Sequence, residues 1–377
     1  MARVEGTTTE RFAGLRQQLS NNLDQGLDVG ASLAVIHHGE VVCDIWGGYR
    51  DAERTTPWTA DTLVNVWSTT KTMTFLVMLM LFDRGELDFT APVATYWPEF
   101  AAAGKADIEV RHLMNHTAGL SGWSEKVTPE VLVDWTRCTD LLAAQAPWWD
   151  DRSRSGYHAL TQGYLLGEVV RRVTGTTIGQ FFKSEVADVL GVDFYIGLPE
   201  SEEYRVSLVI PPEQPEGLGG DRHSIRYRTL TSPSIDAGAR APQHRWWRAA
   251  EIPAANGHGN ARSVATIQQV ITNRGEVDGH RFFSEKTGEL IFDVQTSGVD
   301  QVLGFDINFG LGYGLASSVI PVGPRTCYWG GFGGSLVIMD QDLGLTVAYM
   351  MNKMNTGLAG DFRGGAFALT AALAASA

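Results

Sequence analysis

The stretch from Thr72 to Phe82 is apolar enough that it has to be buried, and at its head a serine and a lysine stand three residues apart in Val66-Trp67-Ser68-Thr69-Thr70-Lys71-Thr72. If the stretch is a buried helix, Ser68 and Lys71 fall on one face, one turn apart, and the amine reaches the hydroxyl. A serine hydroxyl is unreactive until its proton is taken, and a lysine held near neutrality by burial can take it. The tetrad alone also fits a capping serine followed by a snorkelling lysine.

Further segments bear on that choice. Ser155-Gly156-Tyr157-His158-Ala159-Leu160 precedes a helical pattern from Gly163 to Val173, and Tyr328-Trp329-Gly330-Gly331-Phe332-Gly333-Gly334-Ser335 leads into the alternating run Leu336 to Met339. His116-Thr117-Ala118-Gly119-Leu120 comes before the first of these. In order and spacing these motifs resemble the serine β-lactamase and D,D-peptidase superfamily, and most of all its esterase branch, the family VIII carboxylesterases. The resemblance runs from the hairpin before Ser68 to the strand after Gly334. It implies an α+β fold, an antiparallel sheet flanked by helices with an inserted, mainly helical lobe.

The resemblance also implies acyl transfer. Ser68 attacks a carbonyl, and Lys71 and Tyr157 shuttle its proton to the leaving alcohol and later take one from water. Burial lowers a lysine's pKa and a neighbouring cation lowers a tyrosine's, so the residues leave open which of the two is the base. The oxyanion needs backbone donors. Ser68 N–H is one, and the superfamily pattern puts the other at Phe332, with Gly330 and Gly331 letting the strand approach closely. Standing alone, the same glycines fit a bulge or strand end. Trp329 stands where lactamases carry a lysine or histidine, and a neutral indole cannot pair with a carboxylate, which favours an uncharged ester. Ala159 stands where lactamases place an asparagine and offers no side-chain hydrogen bond. His158 is expected to orient or pack.

These expectations add up to a serine carboxylesterase acting on small, uncharged esters of short acyl groups, without a cofactor. An acyltransferase using the same acyl-enzyme, or a β-lactamase or D,D-peptidase, is the alternative. A silent binding module on this fold gives no reason to keep serine, lysine and tyrosine together. No G-x-S-x-G or dinucleotide fingerprint occurs.

The bounds agree. A chain of 377 residues, 44% apolar and 19% charged, affords a large core and one or two packed lobes. The formal net charge of −13, without a basic run, argues against nucleic acid and against anionic membranes. The longest apolar run, Phe75 to Phe82, is too short for a membrane span, and Glu5, Glu10, Arg11 and Asp24 occupy the region where a secretory signal needs apolar residues, so a cytoplasmic enzyme is expected. Cys43, Cys138 and Cys327 match neither a disulfide framework nor a zinc site. Nothing in the sequence sets an oligomeric state.

Along the chain, Thr8 to Leu27 reads as an amphipathic helix on Phe12, Leu15, Leu19 and Leu23. Hairpins are expected around His38-Gly39 and around Asp340 to Gly344, with a closing helix from Ala359 to Ala375. The two ends then share one sheet lobe, 1–86 plus 255–377, and 87–254 forms the inserted lobe. Helices are expected at Pro129 to Ala144 and Leu160 to Thr174, and long loops over the site from Pro199 to Pro253. His112 and His116 are four apart but lack the glutamate of a zinc protease, and a structural role is expected. His258-Gly259-Asn260-Ala261-Arg262 resembles a supporting loop of the esterase branch. The pairs Trp148-Trp149 and Trp246-Trp247 fit either a pocket wall or lobe packing.

Overall fold

The computed structural model describes residues 3–212, 221–233 and 235–377. Strands β1 (Val4–Thr8), β2 (Gly30–His37), β3 (Glu40–Gly48), β4 (Thr296–Val299), β5 (Asp306–Phe309), β6 (Gly314–Leu315), β7 (Thr326–Gly330), β8 (Leu336–Asp340) and β9 (Leu345–Met351) form one antiparallel sheet in the order β1-β3-β2-β9-β8-β7-β6-β5-β4. The two ends of the chain meet where β2 pairs with β9, Ala34 opposite Ala348. Both expected hairpins are present. β2 and β9 are buried along nearly their whole length, which is why they read as unbroken apolar runs where a half-exposed strand would alternate.

Helix α1 (Ala13–Asp24) packs on β1 and β3, α4 (Ala261–Thr272) packs on β2 and β9, and α5 (Phe362–Ser376) packs on β9 and α1. Between them run α2 (Thr70–Asp83) and α3 (Thr161–Thr174). Every residue of α2 from Thr70 to Leu81 is buried, as a helix apolar on all sides must be. It touches α3 and the helix Ile178–Phe182 of the inserted stretch as well as the helix Glu285–Glu289. A four-stranded sheet, in the order Phe194–Ile196, Gly257–Gly259, Leu63–Asn65, Val206–Ser207, ties the insertion to the segment that leads into α2. The architecture is α+β, an antiparallel sheet flanked by helices.

Three local expectations are corrected. The helix expected from Thr8 starts at Ala13, after a 3₁₀ turn at Glu10–Phe12, because Thr8 closes strand β1. That strand is a polar edge, Val-Glu-Gly-Thr-Thr, held by pairing with β3 and not by an apolar face, so it leaves no periodic signal. The helix expected over Pro129 to Ala144 is two, Pro129–Leu132 and Trp135–Ala144, the second restarted by Asp134, whose side chain accepts from Arg137 N. The stretch expected as loops contains the 3₁₀ helix Glu200–Arg205 and the short helices Ile225–Thr231, Ile235–Arg240 and Arg245–Ala249, all too short to show a period. Residues 213–220 and 234 of that stretch lie outside the described residues.

Candidate active site

Ser68 enters the site on a strained turn. Trp67, just before it, has φ +50, a left-handed conformation that bulky residues adopt at a cost of about 1–3 kcal/mol. The turn is bolted on every side. Thr70 Oγ1 donates to Trp67 O at 2.5 Å and accepts from Gly257 N at 2.8 Å, Val66 N donates to Gly257 O at 2.9 Å, and Ser335 Oγ donates to Val66 O at 2.8 Å. The backbone that carries Ser68 to the head of α2 is therefore held in place.

The Ser68 hydroxyl lies between the two groups expected from the sequence. Lys71 Nζ is 3.1 Å from Ser68 Oγ, and the Tyr157 hydroxyl is 2.6 Å from the same oxygen. Lys71 Nζ also donates to Ala159 O at 2.7 Å and Ala254 O at 2.9 Å. Burial holds this amine well below the usual lysine range. A neutral amine has two N–H groups and one lone pair; with both N–H groups on carbonyls, the lone pair is left for the Ser68 hydroxyl. Tyr157 departs from the expectation that a neighbouring cation lowers it. Burial pushes its phenol up, and a neutral Lys71 supplies no cation to oppose that, so Tyr157 stays protonated and donates to Ser68 Oγ.

On the other side of Ser68 is the glycine-rich turn after β7. A Cβ on Gly331 would meet Ser335 Oγ at 2.3 Å, Val66 O at 2.5 Å and Trp67 Cβ at 2.9 Å, and one on Gly330 would meet the Gly360 backbone at 2.6 Å. Glycine is what lets this turn sit against the turn that carries Ser68. Ser335 Oγ, 3.0 Å from Thr69 Oγ1, adds a second tie. The neighbouring N–H groups, Gly331 N to Ser335 O at 2.8 Å and Gly333 N to Gly357 O at 2.8 Å, are used within the protein. Among the described residues no protein acceptor engages the N–H of Ser68 or of Phe332.

The other expected residues stand behind this group. Trp329 is fully buried and packs against Tyr157 at 5.3 Å between ring centroids and Phe309 at 5.4 Å; it backs the tyrosine and does not line the cavity. Gly330, Gly331 and His158 also lie off the cavity wall. His158 Nδ1 is 2.7 Å from Gly156 O and its Nε2 accepts from Leu120 N at 3.0 Å. Both ring nitrogens are occupied, and burial lowers the imidazole to about 3, so it orients the Tyr157 turn. His116, in the left-handed region at φ +65 just past the helix Val110–Met114, accepts from His158 N at 3.1 Å and meets the Tyr157 ring edge at 4.9 Å. It shares no helix face with His112.

Asp300 carries no motif and was invisible in the sequence. It is fully buried, and its Oδ1 accepts from Tyr157 N at 3.1 Å.

A cavity of about 400 Å³ opens on Ser68, Tyr157 and Phe332. Trp67, Trp246, Trp247, Leu132 and Leu230 are among its walls, so the second tryptophan pair lines it. The first pair packs instead, Trp148 against Gly122 and Trp149 against Gly156. Lys126 alone of the described wall residues carries a formal charge, and it is exposed. The segment from His258 to Arg262 supports from behind: His258 is buried in the small sheet, and Asn260 caps α4 by accepting from Ser263 N. Among the described residues no group of three or more histidines, cysteines or carboxylates could hold a metal.

Fold and site together define a serine hydrolase. The chain belongs to the beta-lactamase family, whose sequence model matches residues 19–371. It is 36% identical to "Esterase/beta-lactamase LipL" of Mycobacterium tuberculosis over 93% of this chain and 83% of that protein. It is 26% identical to "Esterase EstB" of Burkholderia gladioli over 92% of this chain and 93% of that one. Among solved structures, a family VIII carboxylesterase superposes with a TM-score of 0.92 at 37% identity, covering 99% of this chain and 100% of its own.

Proposed function

We propose that this protein is a serine carboxylesterase that hydrolyses small, uncharged esters of short acyl groups through an acyl-Ser68 intermediate. One observation carries the reading: Ser68 Oγ lies between Lys71 Nζ and the Tyr157 hydroxyl at the wall of an apolar cavity. Ser68 attacks the ester carbonyl as its proton passes to the Lys71 lone pair, and the oxyanion takes the N–H groups of Ser68 and Phe332. On collapse the C–O bond to the alcohol breaks, Tyr157 gives that oxygen its proton, and Lys71 returns one to Tyr157. Water then repeats the sequence on the acyl carbonyl, releasing the acid and restoring Ser68. The lining without a buried charge supports an uncharged substrate.

The same reading divides the chain into lobes 1–86 plus 255–377 and 87–254. Ser68 and Phe332 come from the first and Tyr157, Leu132 and Leu230 from the second, with the cavity where they meet. Unpaired, buried Cys43, Cys138 and Cys327 support a reducing, cytoplasmic setting. No helix among the described residues is long and apolar enough to cross a membrane.

A second reading, β-lactam hydrolysis, is suggested by the name of LipL. Against it, Ala159 presents a methyl group, and only its backbone carbonyl is used, by Lys71. The test of the main reading is Ser68→Ala. Hydrolysis of a short-chain p-nitrophenyl ester is expected to vanish while the circular dichroism spectrum is unchanged; ordinary turnover by this variant would sink the assignment.

A further inference from the structure

Tyr157 lies in a turn with no regular secondary structure, so something else must fix its height above Ser68. The turn is hung from β4 and the segment joining it to β5. Thr296 Oγ1 donates to Ser153 O at 3.0 Å, and Gln301 N donates to Ser155 O at 3.0 Å. Tyr157 N donates to Asp300 Oδ1 at 3.1 Å. The same Oδ1 accepts from Val302 N and Leu303 N, each at 2.8 Å. Asp300 N donates to Phe305 O at 3.1 Å and Gly304 N to Asp300 O at 2.9 Å, closing the tight turn that aims the carboxylate. One oxygen thus gathers three backbone N–H groups from two segments 143 residues apart, and the residue is fully buried. The other oxygen, Oδ2, is buried without a partner among the described residues.

We propose that Asp300 is a positioning residue for the reaction, acting through Tyr157: its Oδ1 sets where the Tyr157 hydroxyl stands relative to Ser68 and the leaving alcohol. The inference rests on the proposed role of Tyr157 as the proton donor. What matters here is an acceptor atom at that place, since all three contacts are N–H donations and, among the described residues, no cation touches the carboxylate. A charged acceptor makes stronger bonds, but an amide oxygen at the same position accepts the same three. The Tyr157 side chain is packed from behind by Trp329 and His116, so loss of the Asp300 tie lets the backbone relax while the ring stays buried.

The test exploits the leaving group. An alkoxide must be protonated as it departs, whereas p-nitrophenolate leaves unaided, so a displaced Tyr157 hurts alkyl esters most. Wild type, Tyr157→Phe, Asp300→Ala and Asp300→Asn are compared on ethyl butyrate and p-nitrophenyl butyrate. For Asp300→Ala, kcat/KM, which reports acylation and not the deacylation both esters share, is expected to fall on the ethyl ester about tenfold or more beyond its fall on the p-nitrophenyl ester. Asp300→Asn is expected to stay within about threefold of wild type on both. Equal losses on both esters in Asp300→Ala, or an Asp300→Asn as impaired as Asp300→Ala, would overturn the proposal. If Asp300→Ala does not fold, Asp300→Ser, whose oxygen stops short of the Tyr157 N–H, takes its place with the same expected split. Failure of both to fold while Asp300→Asn folds would make Asp300 a residue of the fold and also overturn it. Tyr157→Phe separates the two claims. If it shows no selectivity for leaving group, the reading of Tyr157 fails; if it does and Asp300→Ala does not, the inference about Asp300 fails.

Discussion

A primary amine with two carbonyls holding its hydrogens and, among the described residues, no carboxylate against it is an unusual thing to bury, and as the proposed base it is expected to set the acid side of the pH profile. Burial lowers the pKa of Lys71 in the folded protein, and in the proposed mechanism the reactive form is the neutral amine. Activity is therefore expected above that lowered pKa and to be lost as pH falls through it. The sign for stability follows the same shift. Between the lowered pKa and the ordinary lysine value the unfolded chain binds a proton that the native state refuses, so this site weighs against the fold there, less so as pH rises. His158 offers the rival explanation, and its ring is already held neutral with both nitrogens engaged. Measuring kcat/KM against pH for wild type and His158→Asn decides the matter: the acid limb is expected to stay in place in the variant. A limb that disappears with His158 would replace Lys71 as the base.

Among the elements, the segment after β7 is one whose position the proposed chemistry depends on. Gly331 lies where any side chain would collide with Val66 O and Ser335 Oγ, atoms that do not move without shifting the turn under Ser68. Gly331→Ala is expected to push Phe332 N–H away from the oxyanion and cut kcat by about 10²-fold, with a much smaller change in KM. Steady-state kinetics on a short ester checks this, and unchanged kcat would mean that Phe332 N–H is not an oxyanion donor. The same segment is tied to the other end of the fold, since Arg363 Nη2 donates to Gly333 O at 2.7 Å.

At the scale of the molecule, Arg363 is where the chain is closed. It is buried with Asp28 and Asp361, 2.8 Å and 2.6 Å away, and donates to Leu27 O and Lys353 O as well, joining the segment before β2, the segment after β9 and α5. Removing one partner from a buried ion cluster leaves the others uncompensated. Arg363→Met is expected to lower stability by about 3–5 kcal/mol, read as a shift of the urea unfolding midpoint at unchanged m-value. A shift below about 1 kcal/mol, the size of a surface pair, would show that the cluster is solvated.

The sequence by itself determined what depends on local pattern. The buried helix behind Ser68 was legible because burial on all sides leaves an unbroken apolar run, the two terminal hairpins because their turns are punctuated, and Ser68, Lys71 and Tyr157 because their motifs are local and ordered. Strand β1 was not, since an edge strand held by pairing carries no apolar face. The tertiary structure decided everything that depends on distance across the chain. It chose Trp246-Trp247 over Trp148-Trp149 for the cavity wall, put Trp329 behind the tyrosine, and brought Asp300 to Tyr157 N. It also bears on how the shared proton is held, and supports Lys71 as the base. A pKa is set by the water and charge that surround a group, and burial, a property of the whole fold, lowers Lys71 and raises Tyr157 where the residues alone left the base undecided.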